Sequence, residues 1–262
     1  MKTLDQIDAK LEKRTPISGL PFTITIAGSY YVTGDLTGSS GNAGITINTD
    51  NVTIDLNGFT LIGVPFSFAG ISGASRKNIT IRNGTLRNWA TTGVGLTTCT
   101  NVRLTDLRSI SNGGSGFSVG DGSEVVKCLA ADNATGVGFS IASRCLVSSC
   151  IASTNADGGF KMNSNNLVHE NTATNNSNHG FEVTGTGNRI ESNHAINNDD
   201  SSNSAFGFKV SGTSNLIVRN SAAANNGGEF SIAAGNADGP VVLKANTVTN
   251  TNPHANFDID GP

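Results

Sequence analysis

The sequence predicts an all-β solenoid of about nine to ten stacked rungs, and three observations predict it. An aliphatic residue recurs every 21 to 27 positions, at Ile54, Ile81, Leu104, Val125, Val147, Val168, Ile190, Ile217 and Leu243. Asparagine and small residues keep fixed offsets from that anchor. A short Gly-Phe-x-aliphatic run (GFSV, GFSI, GFKM, GFEV, GFKV) precedes it. Such a period marks stacked repeat units. A unit this short cannot bury its own apolar face, so the units must pile on one another.

Each column has a physical reading. Three places after the anchor stand Asn57, Gly84, Leu107, Cys128, Cys150, Asn171, Asn193, Asn220 and Asn246. Five places after it come Phe59, Leu86, Ser109, Ala130, Ala152, Ala173, Ala195 and Ala222. Eight places after it come Ile62, Trp89, Asn112, Asn133, Asn155, Asn176, Asn198 and Asn225. Asparagine tolerates left-handed backbone at turns, and stacked amides can bond along the axis. The Gly-Phe runs alternate with period two, as a strand with one buried face does. Their parallel pairing should stack Phe117, Phe139, Phe160, Phe181, Phe208, Phe230 and Phe257 inside the coil. Nothing recurs at 3.6 residues, so helical repeats are set aside.

A solenoid exposes its core at both ends. Residues 1–43 read as an N-terminal cap and 44–262 as the coil, together one structural domain. Within the cap, residues 3–14 read as a short capping helix: Thr3 and Gln6 resemble a capping box, and Leu4, Ile7 and Leu11 share one face. The strands FTITI and SYYVTG follow. At the other end NFDIDGP reads as one more core strand. Uncapped strands invite association, so this end is expected to be covered by the preceding AGNADGPVV loop or by a second copy in a homo-oligomer. Residues 62–69, 198–205 and 233–240 break the period, and such insertions emerge as loops on one face.

Bulk properties exclude several classes. The net charge of −3 and pI near 5.8 give no electrostatic footprint for nucleic acid. No run of 18 apolar residues is available to span a membrane. The start, MKTLDQIDAKLEKR, lacks the apolar core of a secretory signal, while the composition favours an extracellular or cell-surface setting. The four cysteines form no CxxC pattern.

On these columns, residues 44–259 resemble the right-handed, single-stranded parallel β-helix proteins of the pectate-lyase-like superfamily, especially its Asn-rich short-repeat members. That coil hosts pectate lyases, polygalacturonases, alginate epimerases, phage tailspikes and adhesins, so the resemblance implies a polysaccharide partner without fixing an activity. In the enzymes it resembles, the face holding the Gly-Phe strands carries the substrate groove. Here its outward column includes Lys161, Glu182 and Lys209 on consecutive rungs, with Asp157 and His179 at the turn leading in. A lyase or epimerase acting on uronic acids needs a base for the C5 proton and a cation at the carboxylate. His179, Lys161 and Lys209 are of the right types, and Glu182 could orient a base. Asp157, with Phe66 and Phe68 on the 62–69 loop, would contact substrate. The competing reading is a solvated charge ladder that stabilises the sheet.

Glycosidases of the polygalacturonase kind need paired carboxylates. Fragments resembling that motif (Asn48-Thr49-Asp50, Asp199-Asp200, His179-Gly180) occur in the wrong order, so lyase or epimerase chemistry ranks above glycoside hydrolysis. No cofactor is required by this reading, although Asp199 and Asp200 could bind Ca²⁺. Cys128 and Cys150 share a column on neighbouring rungs, where a disulfide is geometrically allowed, and stacked thiols are favoured. Threonines do not persist from rung to rung, which sets aside an ice-binding array. Two functions remain. A polysaccharide-binding or -modifying β-helix requires a groove walled by the 62–69 and 198–205 loops. A non-catalytic structural or adhesive solenoid requires a smooth polar face.

Overall fold

In the computed structural model, residues 14–199, 204–243 and 251–260 are described. They form a parallel β-solenoid of about ten turns, each turn contributing a strand to three faces. The Phe face has ten strands, from Phe22–Ile24 through Phe160–Met162 to Gly228–Ile232. The chain then crosses an anchor face and an Ala face before returning. In one rung these are Leu167–His169 and Thr172–Thr174. Two long strands, Lys77–Arg87 and Thr100–Ile110, run through both faces without a break.

The register confirms the columns in the regular middle of the chain. Ile54, Ile81, Leu104, Val125, Val147, Val168, Ile190 and Ile217 stack in one buried line. Phe117 to Phe230 form a continuous ring stack, with neighbouring centroids 4.7 to 5.2 Å apart and planes within 18° of parallel.

From the Phe160 rung to the Phe208 rung each corner uses the same device, a left-handed residue followed by an inward amide, whereas several earlier corners place Ser123, Cys128, Cys145 or Cys150 there. In the Phe160 rung the pairs are Asn165-Asn166, Glu170-Asn171 and Asn175-Asn176, whose first members have φ of 60°, 58° and 55°. The bend frees a backbone N–H, and the Asn of the next rung accepts it. Asn155 illustrates the pattern. Its backbone N–H and its Nδ2 both donate to Asn176 Oδ1, at 3.0 and 2.9 Å. Its Nδ2 also donates to the Ala130 carbonyl, at 3.1 Å. Three such ladders run along the coil. One joins Asn112, Asn133, Asn155, Asn176, Asn198 and Asn225. The second joins Asn171, Asn193, Asn220 and Asn256. The third, unforeseen from sequence, joins Asn166, Asn188, Asn215 and Asn236. Its signal was available for three members, since Asn166, Asn188 and Asn215 each stand two places before an anchor.

The ends depart from expectation. Leu61, not Phe59, pairs with Leu86, and Ile62 pairs with Arg87 rather than preceding Trp89 in its column. The turn at Asn57-Gly58, both with positive φ, shifts the register there. Asp238, not Leu243, pairs with Ile217. Phe257 does not join the ring stack: the strand Asn256–Asp258 pairs on the Ala face, with Phe257 opposite Ser221 and Asp258 opposite Ala222. The chain inserts residues between the anchor strand Ala237–Asp238 and this strand, which completes the turn that Gly228–Ile232 begins. Val241–Leu243 pairs on the other side of that strand, so part of the expected loop covers this end. Asn256 continues the ladder; Asn246, Asp200 and nearly all of the expected capping helix lie outside the described residues. No helix among them is long and apolar enough to cross a membrane.

Candidate functional site

The outward column of the Phe face places Lys161, Glu182 and Lys209 on three successive strands, as expected. The alternating ladder closes only at its first step. Lys161 Nζ lies 2.8 Å from Glu182 Oε2, and that hydrogen bond holds the Lys161 ammonium above its ordinary pKa. Lys209 turns the other way. Its Nζ donates to Ser231 Oγ at 3.1 Å and sits 4.9 Å over the Phe206 ring. His179 is half-buried at the turn, where its Nδ1 accepts the Phe206 backbone N–H at 2.9 Å. An imidazole accepting at Nδ1 carries its proton on Nε2. Asp157 accepts from Asn178 Nδ2 at 3.1 Å, and Asn178 Oδ1 in turn accepts the His179 N–H at 2.9 Å.

The two loops expected to wall a groove meet the Phe face at the strands Ile71–Gly73 and Phe206–Val210. These are six rungs apart, about 29 Å at the spacing of paired strands. The first loop projects Phe66 and Phe68 into solvent, 81% and 55% exposed. In the second, Asp199 accepts a hydrogen bond from Asn226 Nδ2. Shallow depressions lie on the other faces. One of about 370 Å³ sits at the corner between anchor and Ala faces, over Cys128 and beside Lys127 and Arg108. Another, about 470 Å³, is lined by Arg103, Glu124 and Arg144. Cys128 and Cys150 are free, buried thiols. The hydrogen bond between them, with burial, pushes the Cys128 thiol well up.

A carboxylate cluster that sequence reasoning missed closes the C-terminal end. Glu229, Asp258 and Asp260 each bring an oxygen within 4.8 Å of the others. Such an oxygen-only donor set could coordinate a divalent ion such as Ca²⁺. Glu229 is only 9% exposed, and burial, reinforced by Asp260, pushes its carboxyl up to about 7. Its signal was a column break. Gly116, Gly138, Gly159, Gly180 and Gly207 precede the Phe residues of earlier rungs, and Glu229 precedes Phe230. A Cβ on Gly180 would meet Asn198 Nδ2 at 2.9 Å and Ala195 Cβ at 3.1 Å. Among the described residues no further Asn of this ladder follows Asn225, and the Glu229 carboxylate accepts from both the N–H and the Nδ2 of Asn225 in its place.

Comparison with known proteins agrees with this architecture. The right handed beta helix region family matches residues 69–202. No curated protein matches the sequence. Among solved structures, the Dettilon tailspike protein aligns at 14% identity and TM-score 0.59, over 92% of this chain and 60% of its own length. The Azotobacter vinelandii mannuronan C-5 epimerase AlgE6 A-module aligns at 11% identity and TM-score 0.54, over 94% of this chain and 90% of its own. At such identities the likeness shows the fold. The chain spans about 60% of the tailspike's length. The catalytic domain of a GH87 alpha-1,3-glucanase aligns at 10% identity and TM-score 0.43, over 94% of this chain and 60% of its own. This corrects the expectation that lyase or epimerase chemistry ranks above glycoside hydrolysis. A glycoside hydrolase stands beside the epimerase at similar identity, and fold likeness sets no order between the activities.

Proposed function

The chain belongs to the right-handed beta helix family, and from that premise we propose that it is a non-catalytic, carbohydrate-associated adhesive solenoid, a spike-like or surface module. One observation carries this reading: the candidate catalytic groups on the Phe face are engaged with their own neighbours. Lys161 is paired to Glu182 at 2.8 Å, Lys209 to Ser231 at 3.1 Å, and His179 Nδ1 to the Phe206 backbone at 2.9 Å. A lysine acting as base needs its pKa lowered towards the working pH, whereas Lys161 is shifted upward. Opposite charges on adjacent strands are ordinary sheet stabilisers. The role assigned to these residues is therefore to keep a long, polar, register-locked face.

The test is to incubate the protein with neutral and uronic polysaccharides, with and without Ca²⁺. Unsaturated product is followed at 235 nm and new reducing ends are followed in parallel. The expected result is no product above the protein-free control, together with retarded migration in native gels containing polysaccharide. Turnover that His179→Ala abolishes would overturn the reading. Light scattering tests association through the C-terminal end, part of which Val241–Leu243 covers: an oligomer would place a second copy there, and a clean monomer leaves the loop as its cap.

A further inference from the structure

We propose that the loop carrying Phe66 and Phe68 is a binding subsite for the apolar face of an uncharged sugar ring; this rests on the carbohydrate-associated reading above and narrows it to neutral glycans. The loop violates two rules that the rest of the chain obeys. Phe66 has φ +62° and is the only aromatic among the described non-glycine residues with positive φ, most of which are Asn, Ser or Asp. For a bulky residue that conformation costs roughly 1–2 kcal/mol. The ring so placed is also 81% exposed. Asn or Gly would suit the backbone and the solvent better, so neither folding nor solubility accounts for phenylalanine there.

The loop is a fixed platform. Gly41 N–H donates to the Phe66 carbonyl at 2.9 Å, and Phe68 N–H to the Asn42 carbonyl at 2.8 Å. Ser67, which separates the two Phe residues in sequence, is buried, and its Oγ accepts the Ala90 N–H at 3.3 Å. Beneath it lies the buried Trp89, whose Nε1 donates to the Leu61 carbonyl at 3.1 Å. Glycines leave room for that indole: a Cβ on Gly38 or Gly44 would come within 2.6 Å of its ring. A loop backbone held from both adjacent rungs leaves only the two side chains to order on binding, which favours affinity.

The chemistry around the rings selects the ligand. The segments 36–49, 60–75 and 88–102, which hold the loop and its flanks on three rungs, contain no Asp, Glu, Lys, Arg or His, while exposed Arg87 pairs with Ile62 where the loop begins. A uronic polymer or an anionic membrane would need a cluster of cations, and the loop itself supplies none, with Arg87 standing at its base. Exposed Ser40, Asn42 and Thr91 supply amide and hydroxyl groups instead, suited to the hydroxyls that rim a sugar whose C–H face lies on a phenyl ring. A protein partner fits less well. Two Phe rings bury about 150–250 Å² each, against about 800 Å² per partner for a stable interface.

The test compares wild type with the double variant Phe66→Asn, Phe68→Ser. Asn is at home at positive φ, so thermal stability should be kept and the fold is checked by circular dichroism. Native gels are cast with dextran, starch, laminarin or galactomannan, and separately with alginate or pectate. Wild type should be retarded by at least one neutral polymer, with apparent affinity at least tenfold weaker in the variant, and by neither uronic polymer. Retardation that the variant retains, or retardation by alginate or pectate alone, overturns this subsite while leaving the carbohydrate reading intact. No retardation by any polymer overturns both. Self-association that the variant abolishes, seen by sedimentation, would assign the rings to a contact between copies and also overturns the subsite.

Discussion

Glu229 turns the loss of a neighbour into a cap. The folded state raises its carboxyl to about 7 from an ordinary 4.5, chiefly because burial disfavours the charge. A group that binds its proton more tightly when folded gives stability that is full below about pH 4.5 and is lost as pH rises through 7. The loss is on the order of 3 kcal/mol if the whole shift is realised. Scanning calorimetry in the presence of a chelator should therefore show wild type losing more stability between pH 5 and pH 8 than Glu229→Gln does. Equal pH slopes would contradict the burial argument. A ladder interior is less forgiving. Asn176→Ala removes the acceptor of both the N–H and the Nδ2 of Asn155 and strands buried donors, which should cost about 2–5 kcal/mol. The exposed Asn163→Ala should stay within about 0.5 kcal/mol in the same denaturant titration.

At the scale of the element, the ring stack is the clearest unit. Phe160 is buried and flanked by Phe139 and Phe181 at 4.7 and 4.8 Å, so Phe160→Ala should cost about 3–5 kcal/mol. Phe230 ends the stack and is only partly buried, so its truncation should cost distinctly less. Urea midpoints for the two variants measure the difference. This stack, the anchors and two of the three ladders were legible because most rungs from Phe117 to Phe230 repeat at 21 or 22 residues, and the one of 27, from Phe181 to Phe208, carries its insertion after the last column, so that a fixed offset is a fixed place in space. Where a turn adds residues, as at Asn57-Gly58, counting lands on Phe59 although Leu61 holds the position. Where residues are inserted between two faces, as between Asp238 and Asn256, Phe257 keeps the sequence pattern and loses the stack. The candidate site was legible only as residue types. Sequence showed that Lys161, Glu182 and Lys209 share a column, but not that Lys209 would swing towards Ser231, because side-chain direction depends on the neighbour met. The acidic end was illegible because Glu229 and Asp258 share a turn only through the residues inserted between Asp238 and Asn256.

The whole molecule is quasi-one-dimensional: each rung touches its neighbours alone, so stability is close to a sum over rungs and their interfaces. That makes a strong demand on the architecture. Deleting residues 139–159 removes one full turn and rejoins Gly138 to Phe160, restoring a Gly-Phe junction already used five times in the chain. Asn133 would then face Asn176 as it now faces Asn155. The shortened protein should fold with unchanged circular dichroism per residue and a length reduced by about 4.8 Å in solution scattering. Failure to fold would show that the rungs are not equivalent.

Every interior amide in the long ladder points the same way, Nδ2 towards the C-terminal end and Oδ1 towards the start. The coil therefore has an arrow built into its core. Any two cross-sections between Asn112 and Asn225 present matching surfaces, donors on one side and acceptors on the other, whatever their distance along the axis. Reach can then change through gain or loss of whole turns while the two ends, and whatever they hold, stay as they are. The molecule works as a ruler graduated in turns, and its length is a quantity that selection can set independently of its chemistry.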